Sequence, residues 1–130
     1  LGADGVQVGT RFICAEECQV HGNYKKAILR AKDRDTVLTG MPGHQVRVLK
    51  NKLTRQFEDF NNKGASLEEL EELGAGKLRL AAIEGDVDQG SLMAGQAASM
   101  VNEIQPAAEI IMDVMETASK VLKQLRKLGD

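Results

Sequence analysis

Gln7, Val8, Gly9 and Thr10 stand in the segment Asp4-Gly5-Val6-Gln7-Val8-Gly9-Thr10-Arg11-Phe12, and their order suits one task, holding a phosphate. Val6 and Val8 alternate with Gln7, which predicts a strand over residues 5–12. Gly9 removes the Cβ where a backbone must approach something closely, and Thr10 then offers a backbone N–H and a hydroxyl. Exposed N–H groups at a strand end or helix start carry partial positive charge and need no cationic side chain to bind phosphate. A second candidate is Met93-Ala94-Gly95-Gln96, small and apolar, which lets either another helix or a flat ligand come close.

Other chemistry lacks its residues. His21 and His44 both sit beside glycine in turn-like segments, and no Ser or Cys occupies a recognisable nucleophile elbow. Gly74-Ala75-Gly76 lacks a third glycine and a preceding strand, so it is no dinucleotide fingerprint. Asp86 and Asp88 sit in a turn-rich stretch, but Gln96 stands where a calcium loop starting at Asp86 needs its bidentate acid. Cys14 and Cys18 share a face if helical, and with His21 they make three ligands where a structural zinc needs four. Two reduced thiols and no metal are expected.

These candidates need elements to position them. Helical composition runs over residues 16–31 with a break at His21-Gly22-Asn23, where Asn23 is the expected cap. Tyr24, Ala27, Ile28 and Ala31 form its apolar stripe, with Lys25, Lys26, Arg30 and Lys32 facing water. Two short strands follow, Thr36-Val37-Leu38-Thr39 and His44-Gln45-Val46-Arg47-Val48, separated by Gly40-Met41-Pro42-Gly43. Leu53, Phe57 and Phe60 predict a helix ended by Asn61-Asn62-Lys63-Gly64, and Ser66 with Glu69 predicts a capping box for the next. That helix turns Leu67, Leu70 and Leu73 inward and Glu68, Glu69, Glu71 and Glu72 to water. Residues 78–83 resume a helix that stops at Gly85, and residues 91–98 open another through Met100 and Val101. After Pro106 a packing helix is expected on the stripe Ile110, Ile111, Val114, Met115, Ala118, Val121, Leu122 and Leu125, ended near Gly129.

A hydrophobic fraction of 42% supports a core, and with one Tyr, three Phe and no Trp that core must be aliphatic. The 17 basic and 19 acidic residues are interspersed at a net charge of −2, which argues against a nucleic-acid partner. No signal peptide and no apolar run of about 18 residues occur, so a cytoplasmic protein without a membrane span is expected. Leu1-Gly2-Ala3-Asp4 reads as the last turn of a helix running into a strand, as in a portion of a longer protein.

Residues 1–12 resemble the eighth strand of the flavin-dependent type II enoyl-acyl-carrier-protein reductases and their relatives, the nitronate monooxygenases. Asn23-Tyr24-Lys25, Asp35-Thr36, Gly43-His44, Val46-Arg47, residues 50–55, Phe57-Glu58, Gly74-Ala75-Gly76, residues 85–88, Gly90-Ser91 and residues 93–96 are similar to the reductase branch in order and spacing. The resemblance implies an α/β fold: the C-terminal part of a (β/α)8 TIM barrel, with a smaller, mostly helical α/β cap domain. It implies a last barrel strand and helix in residues 1–33, the cap in 34–92 and returning helices in 93–130. It further implies FMN, with Gln7, Val8, Gly9 and Thr10 at its phosphate, and Met93, Ala94, Gly95 and Gln96 near the flavin or substrate. NADH or NADPH as reductant, an acyl carrier protein thioester as substrate, the remainder of the barrel and a homodimer partner follow from it too. The catalytic residues would lie upstream of Leu1. A nitronate monooxygenase, or a free-standing helical interaction module without enzyme activity, are the alternatives.

Overall fold

The computed structural model describes residues 2–41 and 43–127. Leu1, Pro42 and Gly129, read above as helix end, turn and stop, lie outside them. α1 (Thr10–Ile13) and α2 (Gly22–Leu29) are followed by an antiparallel hairpin, β1 (Thr36–Thr39) and β2 (Val46–Leu49). Three helices come next, α3 (Lys52–Asn62), α4 (Leu67–Gly74) and α5 (Lys77–Ala82), then a short 3-10 helix, Gln96–Met100, and α6 (Ala107–Arg126). In the hairpin Thr36 pairs with Leu49 and Leu38 with Arg47.

The caps explain where the middle helices start. At α3 the Asn51 carboxamide accepts from the Thr54 N–H at 3.1 Å, and the Asn51 N–H returns to Thr54 Oγ1 at 3.0 Å. The expected Ser66–Glu69 box forms at α4. Leu53, Phe57 and Leu70 then bury one small core, with Leu73 at its edge. A larger core gathers Tyr24, Ile28, Leu49, Ala81, Leu92, Ala94, Ala98 and Val101.

Several expectations fail for tertiary reasons. The strand over residues 5–12 does not form: residues 2–9 join no ladder, Val6 is 83% exposed, and the chain enters α1 at Thr10. A strand needs a neighbour for its N–H and C=O groups, and the two strands among the described residues pair with each other. Cys14 and Cys18 share no helix, because Ala15 leaves α1 to bridge Gln105 and the Glu16 N–H donates to the Gln105 carbonyl at 2.9 Å. His21, not Asn23, caps α2 by accepting the Asn23 N–H on Nδ1 at 3.1 Å.

Lys25 is not solvated. It is 7% exposed, and its ammonium donates to the Ala15 carbonyl at 2.6 Å and the Glu16 carbonyl at 3.4 Å, tying α2 to the turn after α1. Residues 91–93 run extended beside β2 instead of opening a helix, which begins only at Gln96. In α6 Ile110 is buried, while Ile111, Val114, Met115, Ala118, Val121, Leu122 and Leu125 remain exposed. The stripe there is real, but the described residues supply nothing for it to pack against. The start of α6 is held from a distance, by the Glu17 carboxylate accepting the Ala107 N–H at 2.9 Å.

Candidate functional site

α1 is short, and its position comes from outside itself. The Arg11 guanidinium donates to the Glu103 carbonyl at 3.1 Å and to Gln105 Oε1, and Gln105 Nε2 donates to Asp113 at 3.0 Å. The N–H groups of Phe12 and Ile13 both return to the Gly9 carbonyl, at 3.0 and 3.3 Å. In that first turn the N–H groups of Thr10 and Arg11 have no intrahelical acceptor.

Opposite α1 runs the segment after Ser91. The Leu49 N–H donates to the Leu92 carbonyl at 2.9 Å and the Ala94 N–H to the Arg47 carbonyl at 3.1 Å, so residues 92–94 extend the hairpin. The Met93 carbonyl accepts the Tyr24 hydroxyl at 2.8 Å. Burial pushes that phenol up to about 12 in pKa, so it remains a donor at neutral pH. With its carbonyl pinned, Met93 remains 38% exposed.

The two candidate segments meet. Gly9 and Thr10 face Met93, Ala94 and Gly95 across an open cleft of about 360 Å³, walled also by Ile13 and Arg47. The Gly95 N–H donates to Thr10 Oγ1 at 2.9 Å, closing 85 residues of chain into one site. A Cβ at Gly9 would meet nothing within 4 Å, so this glycine leaves the cleft mouth open and relieves no contact inside the protein. Among the lining residues Arg47 carries the one charge and there is no carboxylate. The Thr10 N–H and hydroxyl with the Arg47 charge give this cleft donors for an anion.

Gln7 and Val8 stand apart from this cleft, exposed on the segment before α1, and Gln96 starts the 3-10 helix beyond it. Arg47 was given no role from sequence. The signal was present, since the alternation Val46-Arg47-Val48 puts Arg47 on the opposite face of β2 from its neighbours. His44 is exposed, and His21 is engaged at the α2 cap. Burial raises the Cys14 thiol pKa, which leaves it protonated and unreactive at neutral pH. Asp86 accepts the Asp88 and Gln89 N–H groups, each at 2.9 Å, as a turn former.

A family model described as nitronate monooxygenase matches residues 1–117. The chain belongs to the nitronate monooxygenase family. Within that family it is 29% identical over 122 residues to a probable nitronate monooxygenase of Bacillus subtilis, covering 93% of this chain and 35% of the relative. It is 27% identical over 132 residues to a nitronate monooxygenase of Paraburkholderia phytofirmans, covering 100% of this chain and 36% of the relative. The chain thus spans about a third of the length of these curated relatives. Among solved structures, FabK from Thermotoga maritima superposes with a TM-score of 0.89 at 40% identity, over 96% of this chain and 40% of FabK. A nitroalkane oxidase from Streptomyces ansochromogenes gives 0.73 at 27% identity, over 95% of this chain and 35% of the oxidase. The α/β character is shared with both. Among the described residues no helix is long and apolar enough to cross a membrane.

Proposed function

We propose that these residues are the C-terminal part of a flavin-dependent enoyl-acyl-carrier-protein reductase, which reduces a trans-2-enoyl thioester with NADH or NADPH during fatty acid elongation. The observation that carries this reading is the cleft joining Gly9 and Thr10 to Met93, Ala94 and Gly95. Its donor set and its lack of carboxylates suit the phosphate of FMN. The backbone N–H groups of Gly9 and Thr10 would hold that phosphate, with Arg47 adding positive charge at the wall. When bound, FMN supplies hydride transfer between the nicotinamide and the enoyl group. What this chain contributes is position: Tyr24 and β2 fix Met93 and Ala94, and Thr10 fixes Gly95, so one wall of the cleft is set before ligand arrives.

In this reading residues 1–33 belong to the end of a (β/α)8 barrel, 34–92 to a cap domain and 93–130 to the return, with the rest of the barrel and a second copy as partners. Identity supports the reductase branch, at 40% to FabK against 27% to the nitroalkane oxidase. The names of the curated relatives favour the second reading, a nitronate monooxygenase. Purified full-length protein separates them. It should carry flavin absorbance and consume NADH or NADPH when given a crotonyl thioester. Oxidation of alkyl nitronates with crotonyl thioesters left untouched gives the site to the second reading.

A further inference from the structure

A second cleft, of about 610 Å³, opens between the β1–β2 hairpin and α3. That size lies within the range of small-ligand pockets, roughly 300–1,000 Å³. Its wall carries three cations, Arg47, Lys50 and Arg55, against one acid, Glu58, with Asn51 and Asn62 beside them. Among the described residues none of the three cations belongs to an ion pair. Arg47 is half-buried and oriented by its Nη1 donating to Thr36 Oγ1 at 3.2 Å, while Asn51 is locked by the α3 cap. Two arginines and a lysine lining one cavity match a group with several anionic oxygens, and phosphate fits that chemistry best. Arg47 is the one residue that lines both clefts.

We propose that this second cleft binds the phosphate-bearing tail of a substrate or reductant, an inference that rests on the reductase reading above. A carrier-bound thioester hangs on phosphopantetheine and a nicotinamide dinucleotide carries a diphosphate, so both present phosphate oxygens at a distance from the reacting atoms. Lys50 and Arg55 line the second cleft and not the first, and are the residues to change.

The test uses the full-length flavin-loaded protein with Lys50→Ala and Arg55→Ala together, and the charge-preserving pair Lys50→Arg and Arg55→Lys as control. Crotonyl-coenzyme A and its phosphate-free counterpart crotonyl-N-acetylcysteamine are the thioester probes. A thioester tail in the cleft raises KM for crotonyl-coenzyme A about tenfold, as expected for two exposed charge contacts. It leaves kcat and the phosphate-free thioester unchanged. A nucleotide tail instead raises KM for the nicotinamide cofactor. The control pair keeps the original KM in either case. Equal changes for the phosphate-free and phosphate-bearing thioesters, or no change in any KM, overturn the proposal. Calorimetric titration with inorganic pyrophosphate gives a readout free of turnover, with an affinity loss of about tenfold expected in the alanine pair. A protein inert to crotonyl thioesters that still shows this loss ends the reductase reading and keeps the phosphate cleft. Unchanged pyrophosphate binding ends the cleft.

Discussion

Tyr24→Phe deletes one oxygen and keeps a ring that is 2% exposed, so it isolates the hydrogen bond holding the cleft wall. The hydroxyl donates to the Met93 carbonyl at 2.8 Å. Without it a part-buried carbonyl loses its partner, at a cost of about 1–3 kcal/mol. The loss falls on a short, local structure, the bridge in which the Leu49 N–H meets the Leu92 carbonyl and the Ala94 N–H meets the Arg47 carbonyl. Local opening of that bridge should therefore become easier, and hydrogen exchange at the Leu49 and Ala94 amides should speed up roughly 5- to 150-fold. Because the phenol is pushed up to about 12, the effect should be the same throughout the neutral range. On the flavin reading proposed for the full-length protein, the same substitution should weaken flavin retention, since Met93 and Ala94 line the cleft. Exchange at both amides within about twofold of the unsubstituted protein would refute the view that Tyr24 positions this wall.

Asn51→Ala should cost about 2–4 kcal/mol in denaturant unfolding, because its carboxamide caps α3 and also donates to the Val87 and Gly90 carbonyls at 2.9 and 2.7 Å. Asn51→Asp, an equally good cap by type, should not rescue it, since a carboxylate there faces two carbonyls with no proton to give. Lys25→Met keeps the aliphatic stem and loses both carbonyl contacts, so a melting experiment should show a loss of about 1–3 kcal/mol where full exposure would show almost none. Gly85→Ala places a Cβ on the His21 ring at φ +74, and should lower soluble yield and melting temperature; His21→Ala in the same protein should relieve the clash but leave about 1 kcal/mol of left-handed strain together with the loss of the α2 cap. Glu17 is held below its ordinary pKa by its own backbone N–H and by that of Ala107. Its contribution is therefore complete above the unfolded carboxylate pKa and fades as pH falls through the lowered folded value. Acid unfolding followed by circular dichroism should become less steep in Glu17→Gln; an unaltered acid limb removes Glu17 as the anchor of α6.

Local chemistry was legible in the sequence wherever a few neighbouring residues decide the outcome. The Ser66–Glu69 box, the end of α3 after Asn62 and the hairpin around Gly40 all follow from short-range rules and are present, whereas α5 ends at Ala82, short of the stop expected at Gly85. The α6 periodicity was equally readable, but a stripe reports only that a face is apolar, not what covers it. Lys25 was misread because its helix position looks exposed; burial came from the Ala15 and Glu16 carbonyls, which composition cannot place beneath it.

The sequence by itself determined that Gly9 and Thr10 present donors without a side chain in the way, and that residues 93–95 are small enough to let another group come close. It could not determine that the two belong together. Only the tertiary structure decided that, through the 2.9 Å bond from the Gly95 N–H to Thr10 Oγ1 and through Arg47, which β2 delivers to the same cleft. The strand expected before Gly9 shows the same division from the other side. Alternation specifies which faces a strand would show, but a ladder exists only where another strand supplies its hydrogen bonds, and residues 2–9 have none among the described residues.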